Sequence, residues 1–157
     1  IYVYVHLKEM IMADDDFAPL QDCACFNVRK TSRMITQLFD HALKPSGIKA
    51  TQFTLLGVLA NNGEMAIKDL ASSLGMDRTT LTRGIVRLET EGLIKSCEGH
   101  DARQRFVSLT TQGIKQLNES IPYWEKAQDA MKNGLGENFQ VFLETLETTF
   151  KSQQTKF

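Results

Sequence analysis

The chain has 157 residues, the size of one ordinary domain. With 42% hydrophobic and 24% charged residues, its composition is that of a globular protein and excludes an intrinsically disordered chain. The 18 basic and 19 acidic residues give a formal net charge of -1, so the whole-chain charge indicates neither a nucleic acid nor an anionic membrane as a partner.

The N-terminal residues 1–7 alternate apolar and aromatic side chains and are followed by charges. Because a small-residue cleavage site does not follow, this pattern does not indicate a secretory signal, and the segment could form a short strand. No apolar run approaches the roughly 18 residues that a membrane span requires. We therefore expect a cytoplasmic protein that makes no membrane contact.

Neither a metal nor a catalytic centre is indicated by the sequence. Three cysteines are too few for a disulfide framework, and an odd number cannot all pair within one chain. The three histidines are far apart in the sequence. Metal-ligand spacings, a Gly-rich phosphate loop, a GxSxG elbow and an HExxH motif are all missing from the sequence. We expect no metal, no cofactor and no enzymatic activity.

Apolar residues at helical spacing predict a first helix over residues 26–43. A second helix, apolar nearly all round, can be capped by the Thr51 hydroxyl and ends by Gly63. A shorter helix is predicted over residues 68–74, followed by Gly75, which suits the left-handed conformation that ends helices.

The next helix completes a helix-turn-helix. Asp77 is a good N-cap for it, its apolar stripe is Leu81, Ile85 and Leu88, and Gly92 marks its end. Two short helices joined by a tight Gly-containing turn are typical of this DNA-binding motif.

Two extended runs, residues 94–97 and 106–109, then predict a β-hairpin with a charged tip. A hairpin directly after a helix-turn-helix is the element order of a winged helix. The remaining residues are helical, with Thr110 or Thr111 as a cap and Pro122 as the site of a kink or a restart. The predicted fold is mainly α with a small β wing, an α+β winged helix-turn-helix flanked by N- and C-terminal dimerisation helices.

The side of the second motif helix opposite its apolar stripe is polar and basic. Between residues 78 and 87 there are three arginines and no acid. In a helix-turn-helix this side enters the major groove, where arginine can pair with guanine and threonine can contact a phosphate or a thymine methyl. A merely solvated face is the alternative. The residues predicted to contact DNA here are Arg78, Thr79, Thr80, Thr82, Arg83 and Arg87.

The predicted wing tip carries Asp101, Arg103 and Arg105. An arginine at such a tip can reach into the narrow, electronegative minor groove, and Asp101 is close enough in sequence to orient the Arg103 guanidinium. A charged turn alone would indicate only a soluble loop. Together with the basic helix face, it favours DNA binding by all three residues.

From the first predicted helix to the C-terminus, the sequence resembles the MarR family of winged-helix transcriptional regulators. The most specific stretches are MDRTTLTR at residues 76–83 and DAR at 101–103, and LETEGLI at 88–94 and LTTQG at 109–113 are also similar to the family's. The family's Asp-x-Arg wing motif would make Arg103 the minor-groove finger.

The resemblance implies a homodimer with intertwined terminal helices and two winged helices on double-stranded DNA. The apolar terminal helices also favour a dimer on physical grounds, since one small core cannot cover them; packing within one chain is the alternative. The predicted single domain, 1–157, comprises a winged-helix lobe at about 51–110 and a helical dimerisation region at about 17–48 and 111–157.

Effectors of MarR-like proteins are often small aromatic or phenolic compounds held between the lobe and the dimer helices. Arg33, His41 and Trp124 are available for such a pocket, although each could equally be structural. Cys23 and Cys25 occupy a place where some MarR-like proteins carry an oxidant-sensing thiol, and a small buried hydrophobe is the alternative.

We therefore predict a sequence-specific DNA-binding transcriptional regulator, an effector-responsive repressor that acts as a homodimer on a pseudo-palindromic operator. One alternative is a winged-helix protein-interaction module without DNA binding, against which Arg83, Arg87 and Arg103 count. Another is a cysteine-based redox-sensing regulator.

Overall fold

The computed structural model describes residues 22–98 and 104–154; the strand expected at residues 1–7 lies outside them. The chain forms two compact units, Ile1–Gln37 and Leu38–Phe157. In chain order the elements are α1 (Ala24–Leu43), a 3-10 turn (Lys44–Ser46), α2 (Ala50–Asn62), β1 (Met65–Ala66), α3 (Ile67–Leu74), α4 (Arg78–Thr90), β2 (Ile94–Glu98), β3 (Arg105–Leu109), α5 (Thr111–Leu135) and α6 (Asn138–Gln154). None of these helices is long and apolar enough to cross a membrane.

The predicted fold class is confirmed, and the core of the second unit lies in the winged-helix lobe. The predicted stripe of α4 points inward, with Leu81, Ile85 and Leu88 at most 1% exposed. The core also contains buried residues of α2, α3, β3 and α5, namely Leu55, Leu56, Leu59, Leu70, Val107 and Leu117.

The wing sheet has one strand more than the sequence indicated. β2 and β3 form the predicted antiparallel hairpin, with Ile94 opposite Leu109. The additional strand β1 pairs antiparallel with β3 through Met65 and Ala66. A two-residue strand is too short to show an alternating pattern, so the sequence alone does not reveal it.

The expected Thr51 cap is wrong, because α2 begins at Ala50 and its N-cap is Lys49, two residues before Thr51. The Asp40 carboxylate accepts a hydrogen bond from the Ala50 amide at 2.8 Å, and the Gln52 side chain accepts one from the Lys49 amide at 3.0 Å. These distant and local acceptors satisfy the donors at the helix start, which places Thr51 inside the first turn.

Thr110, not Thr111, caps α5: its hydroxyl accepts a hydrogen bond from the Gly113 amide at 3.0 Å. Pro122 lies inside the helix and does not restart it, since α5 runs unbroken from Thr111 to Leu135. Proline removes only one backbone donor, and the bonds of the neighbouring turns keep the helix continuous.

The start of α5 is fixed against the start of the wing. The Thr110 hydroxyl donates to the Gly92 carbonyl at 2.7 Å, and the Thr110 amide donates to the Leu93 carbonyl at 3.1 Å. A Cβ atom on Gly113 would lie 1.9 Å from that Leu93 oxygen, so only glycine fits there. This junction gives a physical reason for Gly113 in the family-like stretch at residues 109–113.

Candidate nucleic-acid interface

The turn between α3 and α4 is built as the sequence predicted. Gly75 ends α3 in the left-handed conformation, with φ 61° and ψ 32°. The Met76 amide donates to the Ala71 carbonyl at 2.9 Å, which closes the turn. The Phe150 ring of α6 lies against Gly75, so closely that a Cβ atom there would be 2.7 Å from the ring. Both the conformation and this contact favour glycine at the turn.

Asp77 is confirmed as the N-cap of α4. Its carboxylate accepts a hydrogen bond from the Thr80 amide at 2.9 Å. Hydrogen bonds from the Thr80 side chain and then from its amide hold the pKa of Asp77 below the ordinary value of 3.8. The charged carboxylate therefore fixes the first turn of the helix that carries the basic side chains.

The exposed side of α4, here called the groove face, consists of Arg78, Thr79, Thr80, Thr82, Arg83 and Arg87, all of which are exposed. Its opposite side is the buried stripe of the lobe core. The separation follows from 3.6 residues per turn, which places residues three and four apart on the same side. The backbone thus presents three cations and three hydroxyls on one surface.

Two residues of the groove face are held by residues four positions away in the chain. The Arg87 Nε donates to Glu91 Oε1 at 3.0 Å, and the Thr82 hydroxyl donates to the Arg78 carbonyl at 2.6 Å. Among the residues that the structure describes, Arg78 and Arg83 form no ion pair. Their guanidinium groups are therefore available for an external anion.

A cleft of about 560 Å³ opens beside the N-terminal half of α4. Its walls come from α3, α4 and the start of β3, and they bring cationic side chains together with one carboxylate, that of Asp69. Arg78, Thr82 and Arg105, three residues predicted to contact DNA, line it together with Ala66, Ile67, Lys68, Gln104 and Phe106. The second motif helix and the base of the wing thus border a shared concave surface.

This geometry agrees with known proteins. A model of the MarR family matches residues 46–104. The HTH-type transcriptional regulator YwoH of Bacillus subtilis is 32% identical over 92 residues, which cover 59% of this chain and 67% of the relative. The structure of the M. tuberculosis transcriptional regulator MosR in complex with DNA has a TM-score of 0.77 and 30% identity, over 86% of this chain and 99% of that chain.

The chain belongs to the MarR family. It is a winged-helix, DNA-binding transcriptional regulator, as the sequence predicted. A further relative, the organic hydroperoxide resistance transcriptional regulator of Bacillus subtilis, is 29% identical over 110 residues, which cover 68% of this chain and 75% of the relative.

The residues of the family's wing motif, Asp101 and Arg103, lie outside the described part of this MarR-family chain. Their role stays a prediction from the motif. Arg105, at the start of β3, is described: its guanidinium donates to the Ser96 hydroxyl at 2.5 Å and lies 3.8 Å from Glu89 Oε1.

The three residues considered for an effector pocket occupy different settings. Arg33 and His41 are exposed on α1. Trp124 of α5 is half-buried and stacks on Phe53 of α2, with ring centroids 5.8 Å apart and planes 15° apart. The Trp124 ring therefore helps to attach α5 to the lobe, and its role toward an effector stays a prediction.

All three cysteines are free thiols. Cys23, just before α1, is half-buried, whereas Cys25 in the first turn of α1 is exposed. Cys97 on β2 donates to Glu64 Oε2 at 3.3 Å, and this hydrogen bond raises the pKa of the thiol above its ordinary value. Cys97 is therefore held in its less reactive, protonated form.

Sequence reasoning missed Glu89, Ser96 and Lys68 as parts of this surface. Lys68 lines the cleft, while Glu89 and Ser96 bind each other and Arg105. These residues are far apart in sequence, and no motif joins them. The predicted hairpin pairing is the one signal that could have suggested that Ser96 and Arg105 are neighbours.

Proposed function

We propose that this MarR-family regulator is an effector-responsive repressor, and that a homodimer of it reads a pseudo-palindromic operator in double-stranded DNA. The groove face carries the proposal: three exposed arginines and no carboxylate lie between residues 78 and 87. Two copies related by a two-fold axis would place their groove faces about one helical turn apart, roughly 10 base pairs.

The groove face can divide its contacts between bases and backbone. Arg83 is exposed near the middle of α4, and its guanidinium suits bidentate contact with guanine. Thr79 and Thr80 are exposed in the first turn, where their hydroxyls can donate to a backbone phosphate. Arg87, held by Glu91, is suited to a backbone phosphate at the other end of the face.

The homodimer is supported by the apolar face of α6. This helix has no buried residue in the single chain, although it carries large apolar side chains. Three of them share one side of the helix and are exposed, Leu146 at 42%, Leu143 at 39% and Phe150 at 39%. Clustered apolar surface of this kind marks a protein interface, and a second copy is the partner that symmetric regulators use.

The DNA contact is tested with Arg83→Ala and a duplex selected by the wild-type protein from random-sequence DNA. We expect a loss of about 1–3 kcal/mol in binding and relaxed discrimination at one base pair, measured by fluorescence anisotropy across a salt series. Lys132→Ala is the matched control, because it also removes one cation. Lys132 lies in the last turn of α5, at the opposite end of that helix from its junction with the lobe.

Equal losses in Arg83→Ala and Lys132→Ala would contradict readout by the groove face, since a general charge effect would then account for both. Retained sequence discrimination in Arg83→Ala would contradict a base contact by this residue. Repression itself is measured with a reporter gene downstream of the selected duplex, which should be silenced by wild type and released by Arg83→Ala.

For the effector, we propose a small phenolic compound that lowers operator affinity by favouring a half-site spacing that does not match the DNA. Trp124 is the chain's single tryptophan, so intrinsic fluorescence reports on its surroundings. With 4-hydroxybenzoate as the probe, DNA release and a change in Trp124 fluorescence should follow the same concentration dependence. Release with unchanged fluorescence would place the effector away from Trp124.

A redox-sensing regulator is a second candidate, supported by the exposed Cys25 thiol in the first turn of α1. The relative named for organic hydroperoxide resistance gives this candidate added support. Peroxide should lower the operator affinity of wild type and of Cys97→Ser, but leave Cys25→Ser unchanged. Full affinity of all three proteins after oxidation would eliminate thiol sensing.

A further inference from the structure

Three side chains connect the wing to the C-terminal half of α4, and we refer to Glu89, Ser96 and Arg105 as the wing clasp. The Ser96 hydroxyl donates a short hydrogen bond to Glu89 Oε1. The same hydroxyl accepts a hydrogen bond from the Arg105 guanidinium at 2.5 Å, and that guanidinium lies 3.8 Å from Glu89 Oε1. One contiguous polar network thus joins α4, β2 and β3.

The sheet register explains why Arg105 points toward α4. Residues two apart in a strand share a face, so Arg105 lies on the same face of β3 as Val107, which is fully buried in the core. Ser96 is directly opposite Val107, and is therefore the diagonal neighbour of Arg105 on that face. The same face of the sheet therefore contributes Val107 to the core and, toward the wing tip, Arg105 to the clasp.

Among the described residues, the Arg105 guanidinium contacts the other two clasp residues and not the acidic residue opposite it in the sheet. Glu98 is directly opposite Arg105 in the register, yet the described contacts of Arg105 go to Ser96 and Glu89. Glu89 is the more enclosed partner, with 27% of its side chain exposed against 51% for Arg105. A hydroxyl and a carboxylate together fix the direction of the guanidinium better than one exposed ion pair would.

We propose that Arg105 is a positioning residue for DNA binding, which holds the wing strands at a fixed angle to α4 through Ser96 and Glu89. Its own charge is used within the protein, and other residues contact the phosphates. The clasp thereby sets the distance between the groove face and the wing, two surfaces that must meet adjacent grooves at the same time.

The inference rests on the proposed reading of DNA by this lobe, and the sign of one substitution distinguishes it from direct contact. If Arg105 bound a phosphate, removing the neighbouring acid in Glu89→Gln would free the guanidinium and strengthen binding. If Arg105 positions the wing, Glu89→Gln loosens the clasp and weakens binding. Glu98→Gln is the matched control, since it removes the same charge from the residue opposite Arg105 and leaves the Ser96 and Glu89 contacts of Arg105 in place.

Binding to the selected duplex is measured by anisotropy across a salt series. We expect Glu89→Gln, Ser96→Ala and Arg105→Ala each to weaken binding by roughly fivefold, with the salt dependence of wild type, and Glu98→Gln not to weaken it. The double variant Glu89→Gln/Arg105→Ala should lose no more than the larger single loss. A stronger-binding Glu89→Gln, or a salt slope lowered by about one in Arg105→Ala, would overturn the inference.

Hydrogen exchange of the DNA-free protein provides a readout that does not depend on the operator. The β2 and β3 amides should exchange faster in Glu89→Gln and Ser96→Ala than in wild type or Glu98→Gln. Unchanged exchange in both clasp variants would refute the positioning role. Conversely, faster exchange in a protein that fails to select any duplex would count against the proposed function and leave the clasp intact as a structural device.

Discussion

Helices α4 and α6 have similar patterns of apolar residues, but the apolar face of α4 is buried in the single chain and that of α6 is exposed. Both have large apolar residues at three- and four-residue spacings. Leu81 of α4 is fully buried, whereas Leu146 of α6 is 42% exposed. The periodicity therefore identifies the apolar face of a helix, but not the partner that covers it.

The physical origin of this difference lies in the rest of the fold. Residues from α2, α3, β3 and α5 close over the stripe of α4, and this produces the lobe core. Nothing comparable covers the face of α6 among the described residues of one chain, since that helix has no buried residue. The stripe of α4 is thus covered within one chain, whereas the apolar face of α6 needs a second surface, which we assign to the partner copy.

The largest expected effect is at the junction between the wing and the start of α5, the helix that leads from the lobe to α6. Gly113→Ala should destabilise the protein by about 4 kcal/mol, because the added Cβ would lie 1.9 Å from the Leu93 carbonyl oxygen. The backbone at Leu93 or at the start of α5 would have to move to relieve this clash. Gly134→Ala is the matched control on the same helix, where a Cβ meets nothing within 4 Å. There we expect a gain of about 0.5–1 kcal/mol from helix propensity.

Chemical denaturation of both glycine variants measures this contrast. Similar stabilities for Gly113→Ala and Gly134→Ala would show that the start of α5 can shift away from the wing at little cost. The lobe and α5 would then be less tightly joined than the contact at Leu93 indicates.

The next effect separates the buried stripe from the exposed one. Leu81→Ala should lower the free energy of unfolding by about 3 kcal/mol at every protein concentration, because it leaves a cavity in the lobe core. Leu146→Ala should instead raise the dimer dissociation constant by about tenfold, measured by analytical ultracentrifugation. A dimer dissociation constant equal to that of wild type in Leu146→Ala would remove this face of α6 from the interface.

The smallest effect concerns the cap of α4. Since the pKa of Asp77 is lowered in the folded protein, its carboxylate stabilises the fold above the unfolded value of about 3.8, and this contribution is lost as the pH falls below it. Asp77→Asn keeps a capping side chain but cannot titrate. We expect its melting temperature to vary less than that of wild type between pH 5 and pH 3, by calorimetry. Identical profiles would contradict a lowered pKa at this cap.

Much of the lobe was predictable because its signals are local. Asp77 and Gly75 act on their own turn, and the stripe of α4 repeats within one helix, so neighbouring residues carry all the information. The cap of α2 was not predictable, because Asp40 supplies an acceptor from ten residues away. The short strand β1 was not predicted for a similar reason, since it is defined by its pairing with β3, which is far away in the sequence.

By itself the sequence determined the order of the helices and the wing hairpin, the basic groove face and the family, all of which follow from local spacing and composition. Only the tertiary structure decided that Arg105 turns toward Ser96 and Glu89, that Trp124 stacks on Phe53, and that Gly113 has no room for a side chain. These outcomes depend on the distance between residues far apart in the chain. Periodicity fixes the direction of a side chain, and packing decides what it meets.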